Sequence, residues 1–306
     1  MGNSKEEKIQ LLNKNYQIIE NQQKELQSKF NNLKISIEKI SECFNSYFSE
    51  KPNIKEFIYL LKILSDEGNS ISSYLLGLIY EKGKLSNQDF SESFKYFEKS
   101  SKQGNSTGLN KIGSNYQRGY GVEKDYSKAL EYFQKSAELG NSYALVNLGN
   151  CYKNGQGVEK NYLKAIQNYE KSAELGNSYA LVDLGKCYKN GQGFEKNPTK
   201  AFEFFKKSAN LGNSYGMVRL GNCYKKGFGV DQCHSMAFDY YQKSTEFGNA
   251  EGSLNLGICY ENGLGVEQNY SMALNCYKKS LELGNSKAES FILDLQKKTS
   301  IFSYFF

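Results

Sequence analysis

The chain has 306 residues, 39% of them hydrophobic and 24% charged, enough apolar material for one extended core or two ordinary domains. Its net charge of +6 comes from lysines scattered among glutamates, with no basic block or arginine cluster, which argues against nucleic acid as a partner. The single histidine, His234, excludes most histidine-dependent triads and histidine-rich metal sites.

The first residues, MGNSKEEKIQ, lack the apolar centre of a signal peptide. No apolar run reaches the eighteen or so residues of a membrane span. A transmembrane segment is therefore not expected, and the expected location is cytoplasmic. Gly2 opens a myristoylation-like start, but Glu6 stands where that signal wants Ser or Thr, so a plain processed start is expected.

Residues 4 to 49 read as one long helix. Ile9, Leu12, Tyr16, Ile19, Leu26, Phe30, Leu33, Ile37, Ile40, Phe44 and Tyr47 follow alternating steps of three and four, with Gln23 the polar exception. This is a coiled-coil seam. Few charges flank it, and two outcomes stay open: a homodimer through residues 9–30, or folding back on the chain's own first units.

From Gly68 the chain repeats itself every 36 residues, at Gly104, Gly140, Gly176, Gly212, Gly248 and Gly284, without an insertion. All 27 glycines after Gly2 fall in five columns of this register, so glycine here is positional. Within one unit, Ser142 to Lys153 reads as a first helix and Tyr162 to Leu175 as a second, joined by NGQGVEKN. Leu145, Leu148, Gly149 and Tyr152 form one stripe at helical spacing, and Tyr162, Ala165, Ile166, Tyr169 and Ala173 form the facing one. Asn161, Asp89 and Asp125 stand where an N-cap belongs, Asn197-Pro198 is a cap followed by proline at the first helical position, and Gly140 predicts a left-handed helix end. A glycine in mid-helix (Gly77, Gly113, Gly149, Gly185, Gly221, Gly257) costs about 1 kcal/mol of propensity. With the small Ala129, Ala165, Ala201, Ala237 and Ala273 column opposite, it predicts a close helix crossing.

The repeated L-G-x-x-Y-x-x-G-x-G-V, followed by K-A-x-x-x-Y-x-K-S-A-E-L-G, resembles the Sel1-like repeat, a relative of the tetratricopeptide repeat. The resemblance implies an all-α, right-handed superhelical solenoid of helical hairpins, here with a long N-terminal coiled-coil-like helix. The expected organisation is a coiled-coil-like helix over 1–31, a degenerate N-capping hairpin continuous with it over 32–67, six repeats over 68–283, a capping helix over 284–298 and a hydrophobic tail over 299–306. The first repeat is the weakest, because Gly83-Lys84-Leu85-Ser86 replaces G-x-G-V. The tail, IFSYFF, either folds back on the last hydrophobic groove or stays disordered.

Candidate chemistry is sparse. The G-x-G at Gly155 and Gly157 could cradle phosphate, but it follows a helix and recurs through the repeats, so a turn is expected. Cys151, Cys187, Cys223 and Cys259 share one column. Stacked helices about 8–10 Å apart hold such thiols beyond disulfide reach. The related cysteine-rich secreted group pairs cysteines where this chain carries Ala173 and Leu181, which argues against a disulfide-built solenoid. Cys233-His234 fits no zinc spacing and replaces a cap and first helical residue. No catalytic, cofactor-binding or metal-binding residue is expected, and the chain is not expected to be an enzyme.

Comparison among repeats leaves one variable stripe on the first helix: Tyr143/Tyr179/Tyr215, Asn147/Asp183/Arg219/Asn255, Asn150/Lys186/Asn222 and Asn154/Asn190/Lys226/Asn262. Tyrosines offer flat contact area, and asparagines can pair with an extended backbone. The expected function is a non-catalytic scaffold or adaptor that binds proteins or peptides along this stripe, on the concave face of the solenoid. The alternative is a regulatory subunit of a separate enzyme, such as a kinase or a quality-control ligase complex.

Overall fold

The computed structural model describes residues 54–83 and 88–305. The coiled-coil seam, Gly2, the first half of the N-capping hairpin and Lys84, Leu85 and Ser86 lie outside the described residues. Those residues form fourteen helices: α1 (Ile54–Asp66), α2 (Ser70–Lys82), α3 (Phe90–Lys102), α4 (Ser106–Arg118), α5 (Tyr126–Glu138), α6 (Ser142–Asn154), α7 (Tyr162–Glu174), α8 (Ser178–Asn190), α9 (Pro198–Asn210), α10 (Ser214–Lys226), α11 (His234–Glu246), α12 (Ala250–Asn262), α13 (Tyr270–Glu282) and α14 (Ala288–Phe305). No strand occurs among the described residues.

Most of these helices begin and end where side-chain or backbone caps dictate. Asn141 Oδ1 accepts from the Ala144 amide at 3.1 Å, and Asn161 Oδ1 from that of Lys164 at 2.9 Å. Asn197 caps α9 in the same way, with Pro198 at its first position. Both cap types relieve donors that the helix cannot satisfy itself. The first helix of a hairpin ends on a left-handed glycine, such as Gly155 at φ 69°. The second ends in a Schellman motif: the Gly176 amide donates to Ala173 O at 2.9 Å and the Asn177 amide to Ser172 O at 3.1 Å. Asn177 then caps α8 by accepting from the Tyr179 amide, so one residue closes one helix and opens the next.

The chain forms two compact units, the first ending at Asn105 and the second starting at Ser106. In the first, α2 packs against α1 and α3. Phe97 of α3 is fully buried against Gly77 of α2, and Ser100 Oγ donates to Ser70 O at 2.7 Å. In the second unit five hairpins, α4/α5 through α12/α13, stack in sequence and α14 covers the last.

Inside a hairpin the glycine column meets an aromatic ring. A Cβ on Gly185 would stand 2.5 Å from the Phe205 ring, and Gly113, Gly149, Gly221 and Gly257 face Phe133, Tyr169, Tyr241 and Tyr277 in the same way. The predicted close crossing is present, and the residue that demands it is this ring; the fully buried alanines Ala165 and Ala201 supply the rest of the room. Across hairpins, Val146, Ala165, Ile166, Tyr169, Ala180, Leu184 and Cys187 form one buried cluster, so each core layer is shared by neighbours.

A polar lattice runs beside this core. Ser136, Ser172, Ser208, Ser244 and Ser280, all fully buried, donate to the carbonyl thirty residues earlier, at the start of the first helix, at 2.6–3.0 Å. Asn213 Nδ2 reaches Ser178 Oγ at 3.0 Å and Asn249 Nδ2 reaches Ser214 Oγ at 3.2 Å. The second glycine of G-x-G answers a different constraint. A Cβ on Gly157 would collide with the backbone of Tyr126 and Ser127 at the start of α5, so the loop seats directly on the previous hairpin.

α14 places Ala288 and Leu295 in the last core layer, with Tyr277 and Leu254. Its backbone stays helical through Phe305, which carries it past the expected end near residue 298 and into the hydrophobic tail.

The packing at Gly185 predicts that Gly185→Val destabilises the protein by about 1–3 kcal/mol through overpacking, read as a lower urea midpoint. Adding Phe205→Leu to that variant should recover part of the loss, because it removes the ring the valine strikes.

Candidate functional site

The packing just described uses two sides of each first helix and leaves a third to solvent. α10 packs on α8 and on α12 as well as on its own hairpin partner, so successive first helices lie side by side and their outer sides form one face of the second unit. The stripe expected from the sequence lies there.

Tyr143, Tyr179 and Tyr215, in the first turns of α6, α8 and α10, are 58%, 43% and 48% exposed. Their rings stand 6.3 and 6.0 Å apart, tilted by 49° and 50°, within the range of favourable aromatic pairs. The same column continues as Glu251 and Lys287, so the aromatic ladder stops after three rungs.

The polar columns are more engaged than their variability suggested. Asn147 Nδ2 donates to Asn110 Oδ1 at 2.8 Å, and Lys186 Nζ lies 2.9 Å from Asp183 Oδ1. The Arg219 guanidinium grips both oxygens of Glu251, each at 3.0 Å, a bidentate geometry that holds both side chains in place. Asn255 Nδ2 donates to Glu251 O of its own helix.

Asn150 and Asn222 serve the core directly. The buried hydroxyls of Tyr169 and Tyr241 donate to Asn150 Oδ1 at 2.9 Å and Asn222 Oδ1 at 2.8 Å. Where the buried ring is Phe205, with no hydroxyl to satisfy, that column carries Lys186. Tyr277 finds Glu261 Oε2 instead, at 2.6 Å. This pairing of tyrosine with asparagine was visible in the repeats and is the signal that sequence comparison alone passed over.

Two clefts open on this face. One, of about 380 Å3, lies between the C-terminal halves of α6 and α8 and is lined by Lys153, Asn154, Lys160, Tyr162, Asp183, Lys186, Asn190 and Gln192. The other, of about 480 Å3, lies at the start of α12 beside Tyr215, Leu254, Asn255, Leu283 and Lys287. Six of the fourteen stripe residues singled out from sequence line one or the other. Beside the stripe, Leu139, Leu175, Leu211, Phe247 and Leu283 are exposed apolar residues. Each precedes a repeat-start glycine, so their period was readable, but their exposure was not.

The chemically reactive groups lie elsewhere. Cys151, Cys187, Cys223 and Cys259 are free and buried, and burial pushes each thiol up to about 11. Cys233 is partly exposed at the N-cap of α11 and makes no cap hydrogen bond; Ser235 Oγ, 3.3 Å from its Sγ, is the main cause that lowers its pKa. Among the described residues no group of three or more His, Cys, Asp or Glu side chains could hold a metal ion, and no helix is long and apolar enough to cross a membrane. The left-handed Gly155 and the seated Gly157 give the G-x-G a structural role in the turn.

Comparison with known proteins bears on the whole fold. The family model described as Sel1 repeat matches six times, over residues 70–105, 106–141, 142–177, 178–213, 214–249 and 250–285. No curated protein sequence matches the chain. Among solved structures, the chain is similar to a protective antigen of uropathogenic Escherichia coli with an SLR fold, at 28% identity and a TM-score of 0.62 over 86% of this chain and 56% of that one. The chain thus spans little more than half the length of that protein. It is also similar to a Sel1 repeat protein from Oxalobacter formigenes, at 30% identity and a TM-score of 0.58 over 72% of this chain and 86% of that one. An immunity protein from Pseudomonas aeruginosa shares the fold at 21% identity, with a TM-score of 0.56 over 71% of this chain and 83% of that one.

Two outcomes follow from the thiols. In a Cys43→Ser background, a thiol reagent at pH 8 should label one site rapidly, and Cys233→Ser should remove that phase. The four column thiols are neutral in the fold up to about 11, against 9.0 for a solvated thiol, so the stability they contribute is present below pH 9 and lost as pH rises towards 11. Urea midpoints measured from pH 7 to 11 should fall above pH 9, and fall less in the variant with alanine at all four positions.

Proposed function

We propose that this chain, which belongs to the Sel1 repeat family, is a non-catalytic scaffold that binds an extended segment of a partner protein along the first-helix face, the concave side of the solenoid. The observation that carries this reading is the coincidence of variability and opening: the stripe that differs among otherwise near-identical repeats lines both clefts and carries the exposed tyrosine ladder. A packing requirement common to all repeats would have kept those positions alike, as it kept the glycines and an aromatic ring opposite them; only the Asn150 column varies with the core, following the ring hydroxyl.

The binding residues in this reading are Tyr143, Tyr179 and Tyr215 as aromatic contacts, Asn154, Asn190 and Asn255 as backbone partners, and Asp183, Lys186 and Arg219 as charge selectors. Asn147, Asn150 and Asn222 hold the face in shape while presenting polar edges. Large rigid rings supply contact area at low conformational cost, and repeats extend the contact without a deep pocket. Free buried thiols suit a reducing cytoplasm. α14 covers the last hairpin of the second unit.

Tyr143→Ala/Tyr179→Ala/Tyr215→Ala should leave helicity and urea midpoint near wild type, since all three rings are exposed, and should deplete proteins captured by the wild-type chain from its native cell. An unchanged set of captured proteins from a folded triple variant would overturn the reading.

A further inference from the structure

The cleft between α6 and α8 differs from its equivalents elsewhere in the stack. Three lysines line it, Lys153, Lys160 and Lys186, against one carboxylate, Asp183. That carboxylate is committed to Lys186 at 2.9 Å and its side chain is only 13% exposed. Lys153 Nζ donates to the neutral Asn150 Oδ1 at 2.9 Å, and Lys160 Nζ lies 4.8 Å from the Tyr162 ring centroid. Neither of these two ammonium groups has a carboxylate among the cleft residues to neutralise it.

The neighbouring repeats show that this placement of three lysines is particular to the cleft. One repeat earlier the three positions are Gln117, Lys124 and Asn150; one repeat later they are Lys189, Lys196 and Asn222; then Lys225, Gln232 and Ile258. Three lysines at these positions occur only here; the equivalents stay basic through Arg118 one repeat earlier and through Arg219 and Lys226 one repeat later, with Arg219 paired to Glu251. Two helix C-termini, those of α6 and α8, oppose the charge of the cleft with about half a negative charge each. They reduce the local excess to about one positive charge, and the sign survives. A wall of low dielectric on one side strengthens the attraction for an anion beyond that of a lysine on open surface.

The rim adds shape. Asn154 and Asn190, one helical repeat apart, carry amide groups that can both donate and accept, matching the alternating groups of an extended backbone. We propose that this cleft seats an acidic side chain of an extended partner segment, with its carboxylate between Lys153 and Lys160 and its backbone along Asn154 and Asn190. The inference rests on the reading of this face as a peptide-binding surface and names the chemistry that the face selects: a segment rich in Asp or Glu.

The test uses the full chain and two fluorescein-labelled peptides of equal length, one of alternating Glu and Ala and one of alternating Gln and Ala, read by anisotropy. The Glu peptide should bind about tenfold more tightly than the Gln peptide at about 50 mM salt, and the advantage should shrink at about 200 mM. Lys153→Gln/Lys160→Gln should abolish the discrimination, and the single Lys160→Glu should do so by repulsion. Lys171→Gln/Lys206→Gln, on the outer sides of α7 and α9, should retain it. Equal binding of the two peptides, or equal damage from the outer pair, would overturn the proposal. So would tighter, Lys153- and Lys160-dependent binding of an oligothymidine. The tyrosine variant separates the two readings: if it still loses its captured proteins while the wild type fails to discriminate Glu from Gln, the scaffold stands and the acidic selectivity falls.

Discussion

A buried aromatic ring between two helices fits here only because the opposing position has no side chain. Tyr169 against Gly149 and Phe205 against Gly185 set the separation within each hairpin, and the remaining contacts are arranged around that separation. The buried serine of the second helix can then reach a first-turn carbonyl of the first, and a small residue is needed at Ala165 and Ala201. A helix propensity loss of about 1 kcal/mol per glycine is offset by burying a whole ring, worth roughly 2–3 kcal/mol.

The same ring reaches through to the first-helix face. Its hydroxyl, when present, is buried and must be paired, which fixes Asn150 and Asn222 as acceptors. Replacing tyrosine by phenylalanine in the next hairpin removes that demand, and the position carries Lys186, one of the three lysines of the basic cleft. In these three hairpins the residue chosen in the core thus decides whether that surface position must accept its hydroxyl or is free of the demand.

Most of the architecture was legible from periodicity, because each repeat meets the same packing problem and solves it with the same residues. The left-handed glycines, the Asn caps and the free cysteine column all sit where their chemistry placed them. The serine lattice was not legible: no motif marks Ser172, and only the thirty-residue reach to Ser142 O explains its burial. Gly157 read as a turn residue because the obstacle it avoids, the backbone at Tyr126, belongs to a different hairpin. The face itself was found by asking which columns vary, but variability could not separate Tyr179, which points to solvent, from Asn150, which answers to a core hydroxyl.

Asn177 ends α7 through its amide, begins α8 through its side-chain oxygen, and ties to Ser142 of the preceding hairpin through its side-chain nitrogen at 3.3 Å. A corner in which one residue holds three elements has no slack. An inserted or deleted residue there would break the cap, the Schellman closure and the tie to the neighbouring hairpin together. Duplication of whole units leaves every such corner intact. Natural variation in a chain built this way can therefore change how many repeats it has far more readily than how long each one is, and the first-helix face grows in steps of one hairpin.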